Sequence, residues 1–212
     1  MKLGIYGAGG LGREVLILAQ QLNGASRWEG IFFIDDITEE NMVSGVPVYR
    51  FAQLDLSHTE IVIAIGEPAA RQKLAERVLT KTGLATLIHP SAFIPKGTHI
   101  GAGAIICDHA FISCDVFIAE NTLIQPHASV GHDTHIGAHS VICGNVTLAG
   151  RCVLGRRIFI GMNSAIKEKT LLGDDVIIGM GSAVFSNIIQ ESIARGNPAR
   201  VIGKNEHKKV FK

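Results

Sequence analysis

The sequence feature that most constrains the fold is a six-residue repeat of aliphatic residues. From Ile88 to Val184 every sixth residue is Ile, Leu or Val, over 16 unbroken steps. A period of six matches neither the helical period of about 3.6 nor strand alternation, and it is typical of a parallel β-helix built from hexapeptide repeats. The repeated aliphatic residues are Ile88, Ile94, Ile100, Ile106, Ile112, Ile118, Ile124, Val130, Ile136, Ile142, Leu148, Leu154, Ile160, Ile166, Leu172, Ile178 and Val184.

A second, mostly small position follows four residues after each aliphatic one. One large and one small inward residue per hexad suit a narrow triangular coil, in which three hexads make a turn of 18 residues. Residues 18 apart should therefore stack, about 4.8 Å from each other, as residues on neighbouring strands do. The small positions are Ala92, Thr98, Ala104, Ala110, Val116, Thr122, Ala128, Thr134, Ser140, Val146 and Cys152.

Residues 1 to 86 lack this period and alternate predicted strands with predicted helices. The strands are predicted at 2–6, 31–34 and 60–65, and the helices at 13–22 and 69–81. Such alternation predicts a parallel sheet of Rossmann type. We therefore divide the chain into an α/β Rossmann-like domain (1–86), an all-β parallel β-helix (87–190) and a C-terminal extension (191–212).

The composition excludes several classes of protein. The net charge of +1 gives no support for nucleic-acid binding, and no apolar run is long enough for a membrane span. The N-terminus lacks the pattern of a signal peptide, and the singly spaced cysteines make a reducing cytoplasm the expected compartment. The charged fraction, 18%, is low enough to suggest surface buried between subunits. Cys107, Cys114, Cys143 and Cys152 stand singly, which is not the spacing of a zinc site or a disulfide framework.

A glycine-rich stretch follows the first predicted strand. In Gly7-Ala8-Gly9-Gly10-Leu11-Gly12 the glycines permit a tight strand-to-helix turn whose free N–H groups can bind a phosphate. Asp35 or Asp36, after the second strand, could accept hydrogen bonds from a ribose or sugar hydroxyl. This pattern alone predicts NAD. The domain is too short for two mononucleotide-binding halves, however, and a single half favours a nucleotide or a nucleotide sugar. The alternative is that the glycines only permit tight packing.

Histidines are concentrated in the repeat region, and the 18-residue rule places them. His109 and His127 share the fourth position of their hexads and should stack. His132 occupies a third position, between Cys114 one coil below and Gly150 one coil above, and Asp133 follows it. A histidine can take a proton from an attacking amine or hydroxyl, and an unshielded glycine N–H can meet a developing oxyanion, as acyl transfer requires. The alternative is that His132 is one more solvated corner histidine.

Several motifs together resemble the sialic acid O-acetyltransferase and UDP-amino-sugar N-acetyltransferase family. That resemblance implies a left-handed parallel β-helix joined to a Rossmann-like sugar-binding domain, a homotrimer, and sites shared between adjacent subunits. The motifs are GAGGLG (7–12), IDD (34–36), AIG (64–66), VGHDTHIG (130–137), LAG (148–150), IGMNSAI (160–166), LLGDDVIIGMGSAV (171–184) and GNPAR (196–200).

The resemblance also implies roles for single residues. His132 matches the family's base, Asp133 its acidic partner and Gly150 its oxyanion-hole glycine. Some members have a second histidine where this chain has Val141, and His135 or His139 could replace it. The acetyl-CoA groove would run past Gly150, Gly161, Met162, Gly179 and Met180, with Pro198 near the adenine end. The nucleotide-sugar side would comprise Gly7, Gly9, Gly10, Asp35, Asp36 and Gly66.

These observations predict an acetyl-CoA-dependent acetyltransferase acting on the amine of a nucleotide-linked amino sugar. The short first domain with IDD favours a UDP- or dTDP-4-amino sugar, used in surface glycan or glycoprotein biosynthesis, and no metal is expected to be required. One alternative is a sialic-acid-type sugar O-acetyltransferase. Others are a zinc enzyme resembling γ-class carbonic anhydrases, using His109, His127 and His132, and a non-catalytic nucleotide-sugar sensor.

Overall fold

The N-terminal part of the chain forms a sheet flanked by two helices. The computed structural model describes residues 1–25 and 27–211. The sheet has the strand order β3-β4-β2-β1-β5, and β1 pairs in parallel with both β2 and β5. The elements are β1 (Lys2–Tyr6), α1 (Gly10–Leu22), β2 (Gly30–Ile34), β3 (Met42–Val43), β4 (Val46–Tyr49), β5 (Thr59–Ile63) and α2 (Pro68–Leu79), with short 3-10 turns at Asn23–Ala25 and Phe51–Gln53.

Three strands and two helices were predicted here, and all are confirmed within two or three residues at each end. The central strands are buried because helices cover both faces: Leu3 and Ile5 share a core with α1, while Tyr6 packs on the α2 side. The β3–β4 hairpin was missed. Its turn, Ser44-Gly45, has two consecutive positive φ angles, 50° and 74°, as a two-residue hairpin of type I′ requires.

The repeat region is a triangular parallel β-helix with three sheets. Sheet I holds β6 (Leu87–Ile88), β8 (Ile105–Ile106), β11 (Leu123–Ile124), β14 (Val141–Ile142), β17 (Phe159–Ile160) and β20 (Ile177–Ile178), extended by β22 (Ser192–Gly196) and β23 (Ala199–Lys204). Sheet II holds β9 (Phe111–Ile112), β12 (Ser129–Val130), β15 (Thr147–Leu148), β18 (Ala165–Ile166) and β21 (Ala183–Val184). Sheet III holds β7 (His99–Ile100), β10 (Phe117–Ile118), β13 (His135–Ile136), β16 (Val153–Leu154) and β19 (Leu171–Leu172).

The predicted register of the repeats is confirmed. Ile124 pairs with Ile106 below and Ile142 above, each 18 residues away. All three side chains are fully buried, as are the small positions Ala128 and Thr134. The first coil is less tightly enclosed, since Ile88, Ile94 and Ile100 are only half-buried.

The corners of the coil are turned by the fourth residue of most hexads, whose backbone adopts the left-handed conformation with positive φ. His109, His127, Asp133, His139 and Asn145 have φ angles between 53° and 62°. Asn, Asp and His tolerate this region better than most side chains, which explains why they are common at the corners. Edge I–II follows sheet I and carries His109, His127, Met162 and Met180; edge II–III follows sheet II and carries His132 and Gly150; edge III–I follows sheet III and carries Asn121 and His139.

The N-terminal domain packs on the outer face of sheet I. There the outward side chains Leu87, Ile105 and Leu123 are fully buried, and they belong to the same hydrophobic core as Val15 and Leu18 of α1. The outward residues of sheet III, such as Phe117 and Val153, stay exposed. Sheet I is thus the face that joins the two domains.

Arg71 of α2 ties the two domains together. Its side chain is fully buried and donates to the carbonyl oxygens of Ile63 and Ile65, at 2.6 and 3.0 Å. It also donates to the Asn121 carbonyl oxygen, from Nε at 3.0 Å and Nη2 at 2.8 Å, and to Asn121 Oδ1 at 2.8 Å. Burial lowers the pKa of Arg71 to about 9.

Within residues 1–25 and 27–211, no helix is long and apolar enough to cross a membrane.

Candidate active site

His132 and Asp133 form a hydrogen-bonded pair at edge II–III. Nδ1 of His132 lies 2.6 Å from Oδ2 of Asp133, and both side chains are about half exposed. The bond to His132 is the main reason that the pKa of Asp133 lies below its usual range, with smaller contributions from the His132 and Arg151 charges. Arg151 Nε lies 3.6 Å from the same carboxylate oxygen. The contact to Asp133 leaves Nε2 of His132 as the ring nitrogen available to a ligand.

Gly150 lies directly above the His132 ring. A Cβ at residue 150 would fall 2.6 Å from Nε2 of His132 and 2.8 Å from its Cε1, so no larger residue fits without moving the imidazole. The next residue, Arg151, donates its backbone N–H to the His132 carbonyl at 2.7 Å, which fixes the two coils in register. No hydrogen bond from the Gly150 N–H occurs within the described part of the chain. The stack of His132 and Gly150 is therefore an imidazole beside an available backbone donor.

The other histidines occupy different positions. His109 and His127 stack as predicted, with ring centroids 5.1 Å apart, but on edge I–II. His139 is buried at edge III–I, where Nδ1 lies 3.0 Å from Nδ2 of Asn121, and burial lowers its pKa to about 4. His139 therefore cannot serve as a second active-site histidine. The sequence-based suggestion that it could take the place of the histidine missing at Val141 is wrong. His135 lies exposed on sheet III beside Phe117.

Val141 is the position at which some family members have a histidine. It faces outward from sheet I, pairs with Leu123 and Phe159, and is only 1% exposed. The covering of sheet I explains why an apolar residue suits this position. Among the described residues, no group of three or more His, Cys, Asp or Glu side chains converges as metal ligands would. The three histidines considered for zinc lie on two different edges.

The residues expected along the acetyl-CoA groove lie mostly on edge I–II. Gly161 and Gly179 are stacked so closely that a Cβ at residue 161 would fall 2.6 Å from the Met180 nitrogen. Met162 and Met180, one above the other, are 48% and 72% exposed. Pro198 is exposed in the turn between β22 and β23. Within one chain, therefore, Met162 and Met180 lie on edge I–II of the triangular β-helix, whereas Gly150 lies on edge II–III.

The glycine-rich turn lines a cleft at the carboxyl edge of the N-terminal sheet. Gly7, with φ of 111°, and Gly12 lie so close together that a Cβ at residue 12 would collide with the Gly7 carbonyl oxygen. The cleft of about 480 Å³ is lined by Ala8, Gly9, Arg13, Asp35, Ile37, Thr38, Glu40 and Val43. A Cβ at Gly9 or Gly10 would meet no atom within 4 Å, so backbone is open to a ligand there. The beginning of α1 thus presents N–H groups where a phosphate can bind.

Asp35 and Asp36 are adjacent but have different partners. Asp35 accepts from the backbone N–H groups of Ala8, Ile37 and Thr38 at 2.9 to 3.0 Å. Burial opposes ionisation of Asp35, but these bonds outweigh it and lower its pKa. Asp36 accepts from Tyr6, Arg77 and the Phe51 N–H at 2.6 to 3.0 Å, on the α2 side of the sheet. Asp35 lines the cleft, whereas the bonds of Asp36 hold β1, α2 and Phe51 together.

Comparisons with known proteins match both halves of the chain. A family model described as the PglD N-terminal domain matches residues 2–78, and one described as bacterial transferase hexapeptide (six repeats) matches residues 115–150. GDP-perosamine N-acetyltransferase of Escherichia coli O157:H7 is 31% identical over 123 residues, covering 55% of this chain and 56% of that protein. The match spans little more than half the length of this curated relative.

Two solved structures are similar over nearly the whole chain. The acetyltransferase domain of PglB from Neisseria gonorrhoeae FA1090 superposes with a TM-score of 0.88 at 26% identity, covering 95% of this chain and 99% of that one. PerB from Caulobacter crescentus, in complex with CoA and GDP-perosamine, superposes with a TM-score of 0.87 at 27% identity, covering 96% and 98%. The sequence motifs and the fold agree in what they resemble: residues 2–78 match the PglD N-terminal domain, residues 115–150 match the bacterial transferase hexapeptide repeats, and the whole chain is similar in fold to solved acetyltransferases.

Proposed function

We propose that the protein is an acetyl-CoA-dependent acetyltransferase that acylates the amine of a nucleotide-linked amino sugar. The observation that carries this proposal is the His132–Asp133 pair, held by a 2.6 Å contact, with Nε2 beside the unshielded Gly150. The names of the relatives support the substrate class, since the Escherichia coli protein acts on GDP-perosamine and PerB was solved with CoA and GDP-perosamine.

In the proposed reaction, His132 acts as the general base. The amine nitrogen attacks the thioester carbonyl carbon and a C–N bond forms, while Nε2 of His132 takes the proton from that nitrogen. The carbonyl oxygen becomes an oxyanion, which the Gly150 N–H stabilises by a hydrogen bond. The C–S bond then breaks, the oxyanion returns to a carbonyl, and the sulfur leaves with the proton from His132. The products are the N-acetylated sugar nucleotide and the free CoA thiol.

Asp133 holds the imidazole in the tautomer that this reaction needs. With Asp133 bonded to Nδ1, the neutral ring carries its proton on Nδ1 and presents a lone pair at Nε2. When His132 takes the amine proton, the Asp133 carboxylate stabilises the imidazolium that forms. Because the pKa of Asp133 is lowered, the carboxylate is ionised throughout the neutral range.

We further propose that the active site is completed between subunits of a homotrimer. His132 and Gly150 lie on edge II–III, whereas Met162 and Met180 lie on edge I–II of the same prism. A single groove containing both sets requires edge II–III of one chain to face edge I–II of another. The outward column of sheet III contains the exposed apolar residues Phe117, Val153 and Leu171 together with His99 and His135, and such an assembly can bury those apolar side chains. The four cysteines are all free, which is consistent with the cytoplasmic location we propose.

A thiol-release assay tests the proposed function. Purified protein is mixed with acetyl-CoA and a panel of UDP-, dTDP- and GDP-linked amino sugars, with the matching hydroxy sugars and sialic acid as O-acetyl acceptors. Rapid CoA release only with an amino sugar supports N-acetylation. Rapid release only with a hydroxyl acceptor supports the O-acetyltransferase instead, and release with none contradicts both. Light scattering of the active preparation tests the trimer, which a monomeric mass would contradict.

A further inference from the structure

The end of the chain forms a strap that begins on the β-helix. We use the term C-terminal strap for residues 205–211. Asn205 is buried, its N–H donates to the Glu191 carbonyl at 2.8 Å, and Nδ2 donates to the Asp175 carbonyl at 2.9 Å. Lys208 Nζ lies 3.4 Å from Oδ2 of Asp175 and 3.7 Å from Oε1 of Glu191. These contacts fix the first half of the strap to the upper coils.

The second half of the strap is bound to the N-terminal domain by Glu67. The Glu67 carboxylate accepts from the Val210 N–H at 2.9 Å and from the Phe211 N–H at 3.1 Å. The Phe211 ring packs edge to face on Phe159, with centroids 5.6 Å apart and planes at 86°. One atom of that ring lies 3.8 Å from the point where a Cβ at Gly66 would be.

These contacts bring Phe211 to the ligand-binding edge of the sheet. Gly66 follows β5, which pairs with β1 in register, Tyr6 opposite Ile63. The glycine-rich turn that follows β1 contacts the chain after β5 directly, because a Cβ at Gly7 would fall 2.7 Å from Cδ1 of Ile65. In open α/β sheets ligands bind at the carboxyl ends of the strands. The end of the strap therefore lies close to the glycine-rich turn at which a phosphate can bind.

We propose that Phe211 forms one wall of the acceptor-sugar site and is a specificity-determining residue for the nucleotide sugar. This inference rests on the proposed function. Phe211 is 54% exposed although it is held at two points. Its backbone N–H is bonded to Glu67, and its ring packs on Phe159. An aromatic face fixed beside a phosphate site offers apolar area against which a sugar ring can pack. Glu67 is then a positioning residue, since it acts only by holding the strap.

The test is steady-state kinetics on the full-length protein with Phe211→Ala. We expect the Michaelis constant for the nucleotide sugar to rise about tenfold, which is the lower end of the range for the loss of one apolar contact. The Michaelis constant for acetyl-CoA and the midpoint of thermal unfolding should stay within error. Phe211→Tyr keeps the ring and should restore the wild-type constant. Glu67→Ala should change the constant for the sugar in the same direction as Phe211→Ala.

A matched control separates this role from a general loss of aromatic surface. Phe93 has a ring with 58% exposure on the first coil, far along the chain from the strap, and Phe93→Ala should leave the sugar constant unchanged. An active wild-type enzyme with an unchanged sugar constant in Phe211→Ala would overturn this inference alone. Equal rises in the Michaelis constants for the nucleotide sugar and for acetyl-CoA in Phe211→Ala would also overturn this inference. A wild-type protein inactive with every amino sugar would overturn the proposed function and this inference with it.

Discussion

His132 and Gly150 lie on consecutive coils, and Nε2 of His132 is 2.6 Å from the point where a Cβ at residue 150 would be. Gly150→Ala must therefore displace the imidazole, which can swing outward because its side chain is 51% exposed. We expect turnover to fall about a hundredfold, as for a misplaced catalytic group, with stability changed by less than about 0.5 kcal/mol. Initial rates and urea unfolding measure both, and unchanged turnover would contradict the assigned stack.

Gly161→Ala is the matched change that should act on stability. There the added Cβ would fall 2.6 Å from the Met180 nitrogen and 2.9 Å from its Cα, which are backbone atoms of the next coil. Backbone paired in a β-helix cannot swing aside, so we expect a loss of about 1–3 kcal/mol in the free energy of unfolding. Urea unfolding measures it, and equal stability of Gly161→Ala and Gly150→Ala would show that the coils separate easily.

Asp133→Asn tests the orienting role of the carboxylate. Asn fits the left-handed backbone of residue 133, with φ of 56°, but it cannot stabilise an imidazolium as a carboxylate does. We expect turnover to fall about a hundredfold, less than the roughly 10⁴-fold loss for a buried triad aspartate, because Asp133 is half exposed. Arg151→Gln, which removes only the 3.6 Å ion pair, should change turnover little. A larger effect of Arg151→Gln than of Asp133→Asn would argue against this role.

The six-residue repeat alone predicts much of this site. The six-residue period predicts that residues such as Ile124 and Val130 face inward. The 18-residue turn predicts that Gly150 lies above His132 and that His127 lies above His109. These relationships are periodic, so each one is supported by many repeats. The chemistry assigned to His132 came partly from the family resemblance, since spacing alone does not distinguish it from other corner histidines.

The contacts between the domains could not be predicted in this way. Arg71 contacts Asn121, which is 50 residues away, and Glu67 binds the Phe211 N–H, which is 144 residues away. Such pairs depend on how two folded domains pack, and neither the period of six nor the Rossmann pattern contains that information. The IDD motif has a similar limit, because its two aspartates look equivalent until their partners are known.

Arg71→Met tests the link between the domains. The change would leave the buried carbonyl groups of Ile63 and Asn121, and the part-buried one of Ile65, without these donors, so we expect a loss of about 3–5 kcal/mol in the free energy of unfolding. Arg77→Met, on the same helix but half exposed, should cost less than about 1 kcal/mol. Urea unfolding compares them, and similar losses would show that the buried network adds little.

His139 should make the protein less stable in mild acid. Burial lowers its folded pKa to about 4, while an unfolded histidine titrates near 6.5. Between these two pH values the unfolded chain therefore binds one proton more than the folded chain. The stability that neutral His139 allows is fully present above pH 6.5. It is lost as the pH falls towards 4, where the free energy of unfolding is lower by about 3 kcal/mol. His139→Asn should flatten the dependence of stability on pH in that range. An unchanged dependence of stability on pH in His139→Asn would contradict the buried neutral state.

The most direct test of the central claim is turnover of His132→Ala beside His127→Ala, measured by CoA release with saturating acetyl-CoA and the best amino-sugar acceptor. Both residues are corner histidines of adjacent hexads, but only His132 has a carboxylate at 2.6 Å and a glycine above its ring. We predict a loss of about a hundred- to ten-thousandfold for His132→Ala, the size of a general-base effect, and a small change for His127→Ala, with acetyl-CoA affinity retained in both. Near-normal turnover of His132→Ala, or an inactive His127→Ala enzyme, would contradict the account.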